Sequence, residues 1–134
     1  MEIEKTVVEG SGATAIAAIA SKKLNLSGNV AAVLTGGNID MTVVGRIIER
    51  GLAKDGRLTR LRVVVDDIPG ELAKLAQFIG STRANIRDIV HERTFHPESF
   101  GTTQNIFTLE TRGPENVKQI QGLLTEKGYK YYMD

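Results

Sequence analysis

The sequence predicts an α/β protein in two parts, a complete βαββαβ sandwich over residues 58–134 and an incomplete helix–strand–helix segment over residues 1–55. Three observations predict this. Apolar and polar residues alternate at period two just after residue 58, and apolar residues recur at helical spacing after Pro69 and after Pro114. Before residue 55, by contrast, a single short apolar run suits a strand, and one strand cannot form a sheet.

In the first part, residues 10–24 are rich in alanine and begin with two glycines around Ser11, which predicts a helix that Ser11 caps and that is buried over much of its surface. The apolar run NVAAVL at residues 29–34 suits a strand covered on both faces. The glycines at residues 10–12 also suit an anion cradle, but helix capping is the favoured interpretation.

A tight turn at residues 35–38 follows this strand, and Asp40 or Asn38 is then placed to cap a helix over residues 41–53. The charged stretch from residue 49 to residue 60 is interpreted as a solvated helix end and linker.

The second part begins with a strand in which residues 60–65 alternate between apolar and mostly charged side chains. Pro69 suits the first turn of the helix that follows, whose apolar stripe repeats at i, i+3, i+4 and i+7. This stripe consists of Leu72, Leu75, Ala76 and Ile79.

A strand over residues 86–95, a loop over residues 96–101 and a strand over residues 102–111 form a predicted hairpin. A second helix starts near Pro114 and is closed by Gly128, and residues 129–133 make the last strand. The order βαββαβ is that of a ferredoxin-like sandwich, with two helices on one face of a four-stranded antiparallel sheet.

Composition excludes several classes of function. The 134 residues carry 17 Lys and Arg against 16 Asp and Glu, so the chain lacks the positive excess of a general nucleic-acid binder. No cysteine is present, which excludes disulfides and thiolate metal sites and fits a cytoplasmic location. The longest uncharged apolar stretch, residues 13–20, is far shorter than a membrane span, and no secretory leader is expected. We therefore expect neither a nucleic-acid nor a membrane partner.

The candidate ligand site is the turn between the first strand and the first helix of the sandwich. Such a turn exposes backbone amides at the positive end of a helix, where they can receive the carboxylate of an amino acid. Gly70 has no side chain and leaves room for a ligand. The alternative is a turn that serves folding only. The candidate residues are Asp67, Ile68, Pro69, Gly70, Glu71 and Leu72.

His91 and Arg93 share one face of the next strand, a spacing that suits a metal ligand or a general base. No second histidine or carboxylate is placed to complete a metal site, so a solvated sheet edge is favoured and no metal is expected. His96, in the predicted loop, is interpreted in the same way.

Six segments of the chain carry a resemblance that covers nearly all of it: EGSGATA, VLTGGNID, VVGRIIERGLAKDGRLTRLRVVV, DDIPGELAKL, ANIRDIVHERTF and TLETRGPENV. In these the chain resembles the C-terminal part of single-ACT-domain threonine dehydratases, also called threonine ammonia-lyases. The resemblance implies that residues 58–134 form an ACT domain, a regulatory module that usually binds amino acids. It implies that residues 1–55 are the tail of a catalytic α/β domain that uses pyridoxal phosphate.

In such enzymes a hydroxyl at the position of Thr35, beside Gly36 and Gly37, contacts the pyridine nitrogen of pyridoxal phosphate. The lysine that forms the Schiff base and the phosphate loop would both precede residue 1. We therefore expect that this chain alone holds no cofactor, has no catalytic residues and does not deaminate, and that the role of Thr35 is vestigial. The simpler interpretation of this turn is a structural one.

The resemblance also implies that Asn85 and Ile86 complete the amino-acid site, often across a dimer interface. It makes isoleucine or valine the expected ligand and a homodimer or higher homo-oligomer, formed through the sheets, the expected assembly.

Two other functions are weighed against an amino-acid-binding regulatory module. The first is a split threonine or serine dehydratase, in which this chain supplies part of the active site to a separate catalytic chain. RNA-recognition domains share the βαββαβ topology, but their strands present aromatic clusters, whereas the central strands here offer Phe95 and Phe107 at most.

Overall fold

The computed structural model describes residues 6–95 and 100–134. The chain divides into two compact units, Met1–Ile47 and Ile48–Asp134. In chain order, the described helices and strands are α1 (Thr14–Ala20), α2 (Met41–Lys54), β1 (Leu58–Asp66), α3 (Glu71–Ser81), β2 (Asn85–Glu92), β3 (Thr102–Glu110), α4 (Pro114–Glu126) and β4 (Lys130–Met133).

The first helix is shorter than predicted, and two expectations about it are wrong. The N-cap of α1 is Ala13, which has no side-chain oxygen. The hydroxyl of Ser11 instead donates to the Oε1 atom of Glu9 at 2.7 Å, so Ser11 is not the cap. None of the residues of α1 is buried, because this short helix has little around it in its own unit to pack against.

The strand predicted over residues 29–34 is absent, so the expected helix–strand–helix segment is not formed. A β-strand exists only where a neighbour accepts and donates its backbone hydrogen bonds, and the described part of this unit contains no strand to pair with. The side chains expected to be buried are instead open to solvent, with Val30 50% exposed and Val33 74% exposed.

The start of α2 agrees with the prediction. Asp40 Oδ1 accepts hydrogen bonds from the backbone N–H and from the hydroxyl of Thr42, both at 2.6 Å. These bonds stabilise the carboxylate form and hold the pKa of Asp40 below its ordinary value. Of the two candidate caps, Asp40 is therefore the one used.

The second unit has the predicted βαββαβ order and is ferredoxin-like. Its sheet is antiparallel, with strand order β2-β3-β1-β4. Leu61 of β1 lies opposite Phe107 of β3, and both are fully buried. The core lies on one face of the sheet and consists of Leu61, Val63, Val65, Leu75, Ile79, Ala84, Phe107, Leu109, Ile120 and Leu124.

Two details near the site differ from prediction. Pro69 lies before α3 and not in its first turn, because the N-cap is Gly70, which takes a left-handed conformation (φ 94°) that suits glycine. Strand β2 ends at Glu92, and a register shift between Ile86 and Asp88 interrupts its pairing with β3. His96 and most of the predicted loop lie outside the described residues.

The segment before β1 is bonded to the sandwich, which leads to a prediction about the stable unit. The backbone N–H of Thr111 donates to the carbonyl of Arg57 at 2.9 Å, and the hydroxyl of Thr111 donates to the carbonyl of Gly56. A chain of residues 58–134 lacks both acceptors. We expect it to fold, but to be less stable than residues 48–134 by about 1–3 kcal/mol, since two buried donors lose partners.

Thermal unfolding of the two truncated chains tests this. For a domain of this size, the difference corresponds to a melting temperature lower by several degrees. Equal melting temperatures would contradict the structural role of residues 48–57, and an unfolded 58–134 chain would contradict the predicted domain boundary.

Candidate functional site

A cleft of about 500 Å³ lies in the second unit, where β1 turns into α3. The six residues predicted at the turn line it, whereas Asn85 and Ile86, which were also predicted for the ligand site, do not. The structure adds residues from the ends of β1, β2 and β3. The lining residues are Val65, Asp66, Asp67, Ile68, Pro69, Gly70, Glu71, Leu72, His91, Arg93, Thr103 and Asn105.

The N-terminus of α3 forms one wall of the cleft. Gly70 has no side chain with which to accept a hydrogen bond, so the first turn of the helix has no side-chain cap. The N–H groups of a helix's first turn have no partner within the helix and carry a partial positive charge. This wall is therefore suited to an anionic group such as a carboxylate.

Charged side chains around the cleft are largely paired with one another. Arg93 binds the carboxylate of Asp67 through Nε at 2.9 and 3.1 Å and through Nη2 at 3.0 Å. Asp66 also lines the cleft and makes no ion pair with any cation in the part of the chain that the structure describes. Its carboxylate is thus the available anion for a ligand's ammonium group.

Glu71, the first residue of α3, is held at the side of the cleft. Its carboxylate accepts a hydrogen bond from Lys74 at 2.5 Å, which raises the pKa of Lys74, and lies 3.5 Å from the hydroxyl of Tyr129. The pKa of Tyr129 is raised mainly by burial, and further by the negative charge of Glu71. Both raised pKa values keep Lys74 cationic and Tyr129 neutral at neutral pH.

The floor of the cleft contains polar groups on the core face of the sheet. Asn105 is fully buried, and its Oδ1 lies 2.7 Å from Nδ1 of His91 on the neighbouring strand. The hydroxyl of Thr103 donates to the carbonyl of Glu92 at 2.9 Å. Among the described residues, Asn105 Nδ2 has no hydrogen-bond partner. Leaving such a donor unsatisfied costs about 1–3 kcal/mol, so the buried amide of Asn105 lowers the stability of the domain unless it finds a partner.

Sequence reasoning identified His91 but favoured a solvated edge, and it missed Asn105. Strand β2 is an edge strand and His91 is exposed. Its imidazole nevertheless lines the cleft and contacts the side chain of Asn105. The sequence did carry a signal for Asn105. It alternates in phase with Phe107 and Leu109 and so belongs on the core face of β3. A buried amide on this face costs free energy unless it forms hydrogen bonds, so its presence in the sequence indicates a polar contact.

Asn85 and Ile86 do not lie at this cleft. Asn85 is the first residue of β2, at the opposite end of the strand from His91, and its Nδ2 donates to Oε2 of Glu110 at 3.0 Å. Ile86 packs against the hydrophobic core. Within one chain the structure does not bring these two residues to the turn, so their role stays a prediction that requires a second copy.

Thr35, Gly36 and Gly37 lie in the first unit, in a turn that packs against residues 9–12. The carbonyl of Gly36 accepts from the N–H of Glu9 at 3.0 Å, and a Cβ on Gly12 would lie 1.4 Å from the carbonyl oxygen of Thr35. Close packing thus explains Gly12, and a positive φ of 73° suits Gly36 to glycine. An exposed threonine beside such a turn does not by itself fit pyridoxal phosphate, which also needs its lysine and phosphate anchors.

Other kinds of site find no support within the described ranges. No group of three or more His, Asp or Glu side chains is arranged there to hold a metal ion. None of the described helices has the length and apolarity to span a membrane.

The fold and the cleft define a small ferredoxin-like domain with a ligand-sized site at the N-terminus of its first helix. The chain is 41% identical over 130 residues to an L-threonine ammonia-lyase of Geobacter sulfurreducens and 37% identical over 131 residues to one of Thermotoga maritima. These matches cover 96% and 97% of this chain. It spans about a third of the length of each relative, 32% in both cases.

A shorter match is to an L-threonine dehydratase catabolic TdcB of Staphylococcus aureus (strain USA300), with 45% identity over 56 residues. It covers 39% of this chain and 16% of that relative. No protein-family model matches the chain. The resemblance stated from the sequence is confirmed, and the chain is homologous to the C-terminal part of the L-threonine ammonia-lyases.

Proposed function

We propose that the second unit is an ACT-type regulatory domain and that its cleft binds a small α-amino acid. One observation carries the proposal: the uncapped N-terminus of α3 and the carboxylate of Asp66, which makes no ion pair within the described residues, line the same cleft. A turn that served folding alone would not require a wall suited to an anion and an unpaired carboxylate side by side.

The groups around the cleft match the three parts of an amino acid. Backbone amides in the first turn of α3, such as that of Leu72, receive the carboxylate. The N–H of Glu71 already donates to the carbonyl of Ile68 at 3.5 Å. Asp66 offers a carboxylate to the ammonium group. Ile68, which is 56% exposed, and Leu72 provide the apolar wall. The family resemblance stated from the sequence makes isoleucine and valine the first candidates.

We further propose that binding regulates a threonine ammonia-lyase activity in the cytoplasm. The domain would act as a homodimer in which Asn85 and Ile86 of a second copy complete the site. Both β2 and β4 are edge strands of the sheet, which supports assembly through the sheets. Pyridoxal phosphate would belong to the longer relatives and not to this chain.

Calorimetric titration with L-isoleucine, L-valine and L-threonine tests amino-acid binding, with D-valine as the matched control. The D-enantiomer has the same three groups but cannot place all of them on the same three walls. We expect the L-amino acids to bind, and at a ligand concentration of 100 Kd to stabilise the domain by about 2.7 kcal/mol. Absence of binding by every L-amino acid tested would overturn the proposal.

A second candidate function is a split threonine or serine dehydratase completed by a separate catalytic chain. The observation in its favour is that the first unit exposes many aliphatic side chains, while Val44 is its one buried hydrophobic residue among those described. The exposed residues include Ile16, Leu24, Val30, Val33, Leu34, Met41 and Ile47. So many exposed large apolar side chains in one unit favour a surface that another protein covers.

The chain alone is expected to lack lyase activity under either proposal. Purified protein dialysed after incubation with pyridoxal phosphate should retain no cofactor absorbance band and release no ammonia from threonine or serine, because it lacks the Schiff-base lysine context. Ammonia release above a control without protein would contradict this. Activity that appears only with a co-purified second chain would favour the split enzyme.

A further inference from the structure

We propose that a second copy of this chain packs on the open face of the sheet, related to the first by a two-fold axis parallel to the strands. The core and the helices α3 and α4 lie on the other face. The open face is formed by three rows of cross-strand neighbours, which begin at Asp88, Val90 and Glu92 of β2. This interface is distinct from the edge strands and does not depend on amino-acid binding.

The middle row provides an apolar and aromatic strip. Val90 lies opposite Ile106 of β3, and Ile106 lies opposite Arg62 of β1. Arg62 in turn lies opposite Tyr132 of β4, with its guanidinium 5.9 Å from the centre of the ring, and its charge is paired with Asp134. Val90 is 49% exposed and Tyr132 is 39% exposed. Tyrosine and arginine are enriched at the buried centres of protein interfaces, so this row suits the middle of a contact.

The charges of the two outer rows are divided between the two sides of the open face. Asp88 and Glu92 lie on β2, whereas Arg60 and Lys130 lie on β1 and β4, beyond β3. Adjacent strands are about 4.8 Å apart, so the acids and bases are about 10 Å or more apart across the sheet. In the described ranges, Asp88, Glu92 and Arg60 make no ion pair. Their charges are thus available to another molecule.

This division of charge selects one orientation for a second copy. Two antiparallel sheets can pack face to face with their strands roughly aligned. A two-fold axis parallel to the strands then puts β2 of one copy over β4 of the other, and each row over the same row. Glu92 faces Lys130 of the second copy in this orientation. An axis across the strands would instead put β2 over β2 and bring Glu92 over Asp88, which the repulsion of like charges disfavours.

The other two rows also fit this orientation. In the middle row, Val90 covers Tyr132 of the second copy. In the first row, Asp88 falls between Arg60 of the second copy, which attracts it, and Asp134, whose charge is already neutralised within its own chain. Each contact occurs twice, because the two-fold axis repeats it. The open face is therefore complementary to itself in both charge and apolar surface.

Sedimentation velocity of the full chain, from micromolar to millimolar concentration, tests the interface. We expect the wild type to associate as its concentration rises and Ile106→Lys to halve the mass of the assembly, because this change puts a charge at the centre of the open face. Ile106 lies on β3, between two other strands, so the variant leaves both edge strands and any assembly through them unchanged.

Reversal of one charge tests the orientation. Glu92→Lys puts a lysine over Lys130 of the second copy, and we expect it to weaken self-association by at least about tenfold. Combining it with Lys130→Glu should restore the association, since each pair is then reversed. The matched control is Glu115→Lys, which makes the same change on the exposed surface of α4 and should associate like the wild type.

A wild-type chain that stays monomeric at every concentration overturns the inference. An assembly whose mass is unchanged in a folded Ile106→Lys protein, checked by circular dichroism, also overturns it, because the contact then lies elsewhere. If Ile106→Lys does not fold, the charge reversals decide. A double variant that associates no better than Glu92→Lys alone overturns the two-fold orientation.

Discussion

Replacing Phe107 with alanine is expected to destabilise the second unit by about 3–5 kcal/mol, a large share of the total stability of a domain this size. Phe107 is fully buried in β3, between Leu61 of β1 and Ile89 of β2. Removing its ring leaves a cavity that the two flanking strands cannot close without breaking their register, so the loss includes both transfer and cavity terms.

Urea unfolding of residues 48–134 measures this effect, with Phe95→Ala as the matched control. Phe95 is 86% exposed, and its truncation should change the free energy of unfolding by less than about 0.5 kcal/mol. Equal effects of the two substitutions would contradict the placement of the core. Because Phe107 is buried, it offers no surface for stacking a nucleic-acid base, which weakens the RNA-binding alternative.

The second unit could be predicted from sequence because its strands and helices find their partners within it. The alternation of apolar residues in β1 and their helical repeat in α3 each define one apolar face, and these two faces pack against each other in the core. The ends of the helices and strands differ from the prediction where the backbone conformation of one residue sets them. The left-handed Gly70, for example, places the start of α3 after Pro69.

The first unit was predicted less well because the apolar run at residues 29–34 was interpreted by its composition alone. Composition indicates that a segment can be buried, whereas a strand also needs a neighbour with matching hydrogen-bonding groups. The described part of the first unit provides none, and Val33 is exposed. The capping residue Asp40 was predictable because it depends only on Thr42, two residues away.

The candidate site, too, was predictable in one part and not in another. The turn at residues 67–72 could be found from local chemistry, since a glycine beside a helix N-terminus is visible in the sequence. The pairing of His91 with Asn105 could not be found without the register between β2 and β3, because the two residues are 14 positions apart and meet only across the ladder. Sequence therefore located one wall of the cleft and missed its floor.

Replacing Gly70 with valine is expected to weaken amino-acid binding by at least tenfold without unfolding the protein. A Cβ at Gly70 meets no atom within 4 Å, so the added side chain has room. Since Gly70 lines the cleft, this room is part of the space that the proposed ligand would use. The φ of 94° adds backbone strain of about 1–3 kcal/mol for a side-chain-bearing residue.

The variant Gly128→Val separates loss of binding from strain. Gly128 has a φ of 76°, also meets nothing within 4 Å of a Cβ, and follows α4 outside the cleft. We expect both variants to lose similar stability in urea unfolding but only Gly70→Val to lose affinity in calorimetric titration with L-valine and L-threonine. Parallel losses of affinity would assign the effect to strain. A folded Gly70→Val protein with wild-type affinity would show that the ligand does not bind at this turn.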